Sequence, residues 1–185
     1  MKRWLILFTV VCLALSGAAS ASVQQGDTEL NFTAGLTSWD GDDGPMGEDF
    51  DEFFVSTGLG YFVNDNVQVG VSAGASWAEA NKVDTDSYSL GLFGKYHFMP
   101  TNQWVPYVGL QFAWTDVDVD YPTAMATADE QYDGIMWGPL VGIRYELNAY
   151  NDFYVQYEYQ IFEGDLGKLW EEGHMLVAGI ICQFK

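Results

Sequence analysis

Side chains able to act as nucleophile, base or ligand are sparse in this 185-residue chain, which has two histidines and two cysteines against 26 carboxylates. One arrangement suited to acyl transfer would join Ser38, His174 and a carboxylate from Glu172 or Asp40, since an imidazole oriented by an acid makes a hydroxyl nucleophilic. It requires the first and last structured segments to lie side by side. A second set, Lys95, Arg144, Glu146 and Glu158, places charge inside otherwise apolar stretches. Arg144 and Glu158 are the pair expected to meet, as a structural plug or, in a sharper reading, as part of a proton or ion relay. A third set, Asp40-Gly41-Asp42-Asp43-Gly44 with Glu48, Asp49, Asp51 and Glu52, offers the hard oxygen ligands that calcium and magnesium take. It lacks the spacing and distal Glu of an EF-hand loop, and the bland alternative is a solvated acidic loop. No set forms a catalytic, cofactor-binding or metal-binding motif, so the expectation is a non-enzymatic protein with no cofactor and no assigned site residues.

The elements that must position these residues are read from periodicity. From Val67 to Trp77 every odd position is apolar and every even one is Gly, Ser or Gln, an alternation that fits a strand and no helix. The same period runs through Thr28 to Trp39, Phe53 to Phe62, Asp86 to Phe98, Trp104 to Thr115, Tyr132 to Leu147, Phe153 to Phe162 and Gly173 to Phe184. One face collects Leu30, Leu59, Leu90, Leu92, Val108, Leu110, Phe112, Val141, Ile143 and Ile180, while the other is small or polar, with Asn31, Gln68, Ser72, Ser89, Gln111 and Gln156. By this parity Lys95, His97, Arg144, Glu146 and Glu158 fall on the polar face. Pro106 sits near a strand start, whereas Pro139 lies within the sixth segment and cannot donate to a neighbour, so a bulge is expected there.

Alternation alone does not separate a soluble sandwich from a membrane barrel. Connections do. Short turns rich in Asn, Asp and Pro, at 63–66, 99–103 and 148–152, alternate with longer links at 40–52, 78–85, 116–131 and 163–172. Aromatics gather near the short turns, at Tyr61, Phe62, Tyr96, Phe98, Trp104, Tyr145, Phe153 and Phe184. A second group, toward the long links, comprises Trp39, Phe53, Trp77, Tyr88, Trp114, Tyr132 and Trp137. Two girdles at the headgroup level are implied.

With these segments in place the sequence resembles the small eight-stranded outer-membrane barrels typified by the OmpA membrane domain and OmpX. The resemblance rests on Gly58-Leu59-Gly60-Tyr61-Phe62-Val63-Asn64-Asp65-Asn66-Val67, on Val105-Pro106-Tyr107-Val108-Gly109, and on Val177-Ala178-Gly179-Ile180-Ile181-Cys182-Gln183-Phe184. Lys185 follows Phe184 where the family usually ends in an aromatic. It implies an all-β, eight-stranded antiparallel up-and-down transmembrane β-barrel in the bacterial outer membrane, with a structural or surface-interaction, adhesin-like role. The alternatives are a lipid-A-modifying enzyme of barrel fold, for which no motif of the known lipid deacylases or palmitoyltransferases is found, and a narrow channel for small solutes. Side chains fill the interior of so small a barrel, which weighs against a channel.

Composition sets the partners. Twenty of the 26 acids fall within or beside the long links, and removal of Lys2 and Arg3 takes the formal charge from −19 to −21. Such a field repels nucleic acid and the anionic headgroups of lipopolysaccharide alike. Outer-membrane lipid and lipopolysaccharide are therefore expected as partners through divalent cations at the acidic loops, with the protein a monomer. Lys2 and Arg3, the apolar stretch Trp4 to Leu15 and the small-residue site Ala19-Ser20-Ala21 read as a signal peptide over residues 1–21, leaving residues 22–185 as one barrel domain. The run preceding Cys12 is a poor match to a lipoprotein site, and the exported chain keeps Cys182 alone. Intact-mass measurement of the membrane-extracted protein should give a chain beginning at Ser22; a mass that includes the first 21 residues would refute the cleavage.

Overall fold

The computed structural model describes residues 23–39, 50–80, 83–120, 130–168 and 172–184. The expected signal peptide and the acidic stretch 40–49 lie outside the described residues. Eight strands form where the alternation places them: β1 Thr28–Trp39, β2 Phe50–Phe62, β3 Val67–Ala80, β4 Val83–His97, β5 Trp104–Asp120, β6 Glu130–Asn148, β7 Asn151–Gly164 and β8 Glu172–Phe184. Each pairs antiparallel with its sequence neighbours, and β8 pairs with β1, closing the barrel. Closure leaves no row of unpaired backbone groups, the condition for a sheet surrounded by hydrocarbon.

The register carries a stagger. Followed from Cys182 through Leu30, Leu59, Val71, Leu92, Phe112, Trp137 and Ile161, it returns to β8 at Glu172, ten residues from its start. A stagger of this kind goes with strands tilted about 35–45° to the barrel axis. Thr28 lies opposite Phe184, so both ends of the sheet share the rim with the short turns. Asparagines build two of those turns: Asn64 Oδ1 accepts the amides of Asn66 and Val67 at 2.9 Å each, and Asn148 Oδ1 accepts those of Tyr150 and Asn151 at 3.0 and 3.1 Å.

Burial is inverted relative to a soluble protein. Leu90 and Leu176 are 65% and 64% exposed, while Arg144, His97 and Glu29 are 1–2% exposed. A sandwich would bury the leucines against a second sheet; here they point outward and the charges point in. The interior is less uniformly polar than the alternation suggests, because Phe54, Tyr154, Val177 and Ile181 form an apolar cluster within it. Two girdle assignments change for the same reason. Phe62 is fully buried inside, and Tyr132 packs on Val117, Val119 and Leu166 at the inner mouth. The outward rings do pair along the rims, with Trp104 and Tyr145 at 4.4 Å near the short turns and Phe53 and Trp77 at 6.2 Å toward the long links.

Most strands outrun their apolar alternation on the long-link side. β5 continues past Thr115 to Asp120, with Asp116 and Asp118 facing out and Val117 and Val119 buried inside. Parity is unchanged but the outer solvent is not: above the girdle, water replaces lipid and carboxylates replace leucines. The bulge expected at Pro139 is absent. Gly138 and Pro139 drop out of the β6–β7 ladder, yet Trp137–Ile161 and Leu140–Glu158 keep one register, and the shift falls between Glu146 and Asn148. Pro139 is exposed on the outward face, and a Cβ on Gly138 would meet the Tyr159 carbonyl at 1.8 Å, so close approach of β6 and β7 replaces the bulge.

The outward face predicts its own perturbation. Leu110→Arg should destabilise the vesicle-inserted barrel by about 2–4 kcal/mol in denaturant titration. A loss below about 0.5 kcal/mol would show that Leu110 does not contact hydrocarbon.

Candidate functional site

Working inward from the short-turn rim, the first functional group is a buried ion triad. Arg144 on β6 donates from Nη2 and Nη1 to Glu29 of β1 at 2.7 and 3.3 Å, and from Nε to Asp152 of β7 at 2.7 Å, with Nη2 also on Asp152. Gln68 Nε2 donates to Glu29 at 2.6 Å and Gln183 Nε2 to Asp152 at 2.9 Å. These groups tie β1, β3, β6, β7 and β8 together across the lumen. The guanidinium fork suits this task because it can face two carboxylates at once. At the same end of the lumen, the His97 ring sits between Phe62 and Tyr107, 1% exposed, with neither nitrogen partnered among the described residues. Tyr107 in turn lies across Gly142, where a Cβ would come within 2.4 Å of the ring.

The predicted Arg144–Glu158 pair does not form. Arg144 stands opposite Tyr154, whereas Glu158 stands opposite Leu140, four residues nearer the long links. Glu158 instead accepts amides from Gln156 at 2.6 Å, Gln111 at 2.6 Å and Gln160 at 3.3 Å. Lys95 Nζ lies over the rings of Phe93, Tyr107 and Tyr154, 5.0, 4.9 and 5.7 Å from their centroids, a cation–π cage. Glu146 is half-buried opposite Asp152 at the rim. Sequence reasoning missed Glu29 and Asp152. Glu29 shares the inward parity of Asn31, and Asp152 falls inward once β7 is begun two residues earlier.

Beyond Lys95 and Glu158 the lumen opens into a cavity of about 170 Å³. One wall is Ser56, Ser72, Ser76, Ser87 and Ser89 from β2 to β4, and the facing wall carries Gln111, Gln156, Gln160 and Met175. Leu166, from a short 3-10 turn at Leu166–Lys168, is fully buried against Val117 and Val119 and forms part of the roof.

The acyl-transfer arrangement is not assembled. His174 faces outward, its Nδ1 hydrogen-bonded to the Tyr157 hydroxyl at 2.6 Å, and Glu172 is bonded to Tyr159. The β1–β8 ladder ends at Gly35–Val177, three residues short of Ser38, and Asp40 lies outside the described residues. Among the described residues no three His, Cys, Asp or Glu side chains converge on a metal-sized site, and most of the Asp40 to Glu52 set lies outside them. On the outer surface of β4 to β6, however, Asp86 stands opposite Asp118 and Asp116 opposite Asp133, directly above Tyr88, Trp114 and Ile135. Like charges placed opposite in a ladder repel, so this wall costs stability unless cations screen it.

Comparison with known proteins supports this architecture. Residues 8–181 match the family model described as outer membrane protein beta-barrel domain. A comparison with curated protein sequences found no match. Among solved structures, the chain is similar to Neisserial surface protein A, at TM-score 0.68 and 20% identity, over 86% of this chain and 98% of that one. It is similar to the N-terminal β-barrel of Pseudomonas aeruginosa OprF, at TM-score 0.57 and 18% identity, over 87% and 99% of the two chains. The Yersinia pestis attachment invasion locus protein Ail matches at TM-score 0.57 and 13% identity, over 86% and 99%. At these identities the likeness is one of fold.

The triad makes a sharp expectation. Arg144→Ala strands two buried carboxylates and should cost about 3–5 kcal/mol in unfolding of the micelle-refolded barrel, whereas Glu158→Gln, whose partners are neutral amides, should cost far less. Equal losses from the two variants would show that Arg144 and Glu158 act as one pair after all.

Proposed function

Since the chain belongs to the outer membrane protein beta-barrel domain family and resides in the bacterial outer membrane, we propose that it is a non-enzymatic surface-interaction barrel whose acidic outer rim engages the lipopolysaccharide layer through divalent cations. The observation that carries this reading is the outward acidic wall of Asp84, Asp86, Asp116, Asp118 and Asp133, on strands that rise above the aromatic girdle. At that height the wall would lie beside lipopolysaccharide phosphates, where two anionic layers are stable together only with bridging cations. The sequence links between strands, residues 40–49 and 121–129, add six more acids and on this reading supply the surface for partner recognition.

Two further features favour a structural or adhesin-like role over catalysis or conduction. The His174 imidazole is engaged by Tyr157 on the lipid-facing side, and the Arg144 triad crosses the lumen below the cavity. Ail has been crystallised with a heparin analogue, sucrose octasulfate. The acidic rim of this chain would repel such a polyanion, so its own partners are cationic or cation-bridged. On this reading residues 1–21 are removed on export and the barrel acts as a monomer.

Magnesium should strengthen lipopolysaccharide binding by the vesicle-inserted barrel several-fold, and chelation should reverse the gain. A variant carrying Asp84, Asp86, Asp116, Asp118 and Asp133 all changed to Asn should bind without magnesium dependence. Binding indifferent to magnesium in the native chain, or unaltered dependence in the variant, removes the proposal.

A further inference from the structure

We propose that the short-turn mouth of the lumen holds a hard divalent cation of the calcium class, on Asp152 Oδ1, Gln183 Oε1 and the Glu146 carboxylate. This site lies at the opposite end of the barrel from the acidic outer rim and does not depend on the role given to that rim. The Asp152 carboxylate is used on one side only. Its Oδ2 accepts from Arg144 Nε and Nη2 and from Gln183 Nε2, while its buried Oδ1 has no hydrogen-bond partner among the described residues. Gln183 repeats the pattern. Its Nε2 donates to Asp152 at 2.9 Å, and its buried Oε1 has no partner among the described residues. The two residues are 2% and 4% exposed, so bulk water does not reach these oxygens, and leaving them unmet costs stability. Because a direct hydrogen bond joins the two side chains, their open oxygens belong to one neighbourhood.

Charge gives the site its sign. Glu146 stands directly opposite Asp152 in the β6–β7 ladder, so two carboxylates that repel each other are held side by side on one face. Arg144 does not balance both, since it divides its donors between Asp152 and Glu29. Three carboxylates thus share one guanidinium. Lys95, the next cation along the lumen, is opposed by Glu158 and Glu29 and leaves that excess in place. A water molecule could donate to the two open oxygens but would leave the facing carboxylates uncompensated, whereas a cation meets both needs. The ligands on offer are carboxylate and side-chain amide oxygens, the set that calcium takes in adaptable geometry, and water from the mouth can complete the shell. The register shift of the β6–β7 ladder falls at this point, between Glu146 and Asn148, and irregularities of this kind at barrel rims re-aim side chains.

The test uses the full exported chain, isotope-labelled and refolded in zwitterionic detergent micelles free of lipopolysaccharide, followed by amide NMR during titration with calcium chloride. Sodium chloride at matched ionic strength is the control. Calcium should give saturable shifts at Glu146, Asp152 and Gln183 that sodium does not reproduce. Glu146→Gln, at the half-buried edge of the site, and Gln183→Met, which removes the open amide oxygen, should each weaken calcium binding there by roughly ten-fold or more. Changing Asp84, Asp86, Asp116, Asp118 and Asp133 together to Asn should leave these shifts intact, which separates this site from calcium held at the outer rim. Dispersed spectra establish that each variant is folded, and if Gln183→Met does not fold, Glu146→Gln decides. The proposal is overturned if calcium gives no saturable shift at the short-turn end, if sodium gives the same shifts, if the outer-rim variant loses them, or if either folded variant binds calcium like the native chain.

Discussion

Hydrocarbon cannot hydrogen-bond, and the rest of this structure follows from that constraint. A sheet placed in it must pair every backbone group with another, which an open sheet cannot do and a closed one does. The β1–β8 ladder is therefore the contact on which the other seven rely, for without it two edge strands would face lipid unpaired. The same constraint turns the protein inside out. Leucines at 65% exposure are well solvated by acyl chains, and it is the lumen that must satisfy its polar groups from its own resources.

Within the lumen those resources are graded along the axis. At the short-turn end, Arg144 binds Glu29 and Asp152, an arrangement with one negative charge in excess and hydrogen bonds on most of its atoms. Midway, Lys95 is held by aromatic faces and Glu158 by amides. Toward the long links, small serines leave open space beneath Leu166. Cross-lumen bonds draw β1, β3, β6, β7 and β8 together at the lower end, while small side chains leave room at the upper end.

Much of this was legible beforehand because the period of a strand is a local property. Thr28 to Trp39 is β1 to the residue, and the inward parity of Lys95, His97, Arg144 and Glu158 is correct. Strand ends were less legible. β5 continues to Asp120 because backbone pairing persists after the outer medium has changed from lipid to water, and a pattern read from apolar residues stops at the change. Pro139 misled for a related reason: its missing donor is a local fact, but whether the ladder bulges around it depends on how closely β6 and β7 pack, which Gly138 decides.

Sequence by itself determined the class of fold, the strand count, which side of each strand meets lipid and on which rim the acids collect, since each of these depends on residue type and spacing along one chain. Only the tertiary structure decided the partners across the lumen. Whether Arg144 meets Glu158 is settled by the register of the β6–β7 ladder, and Glu29 comes within its reach only when β1 pairs with β8 and the barrel closes, relations between segments that no single segment encodes.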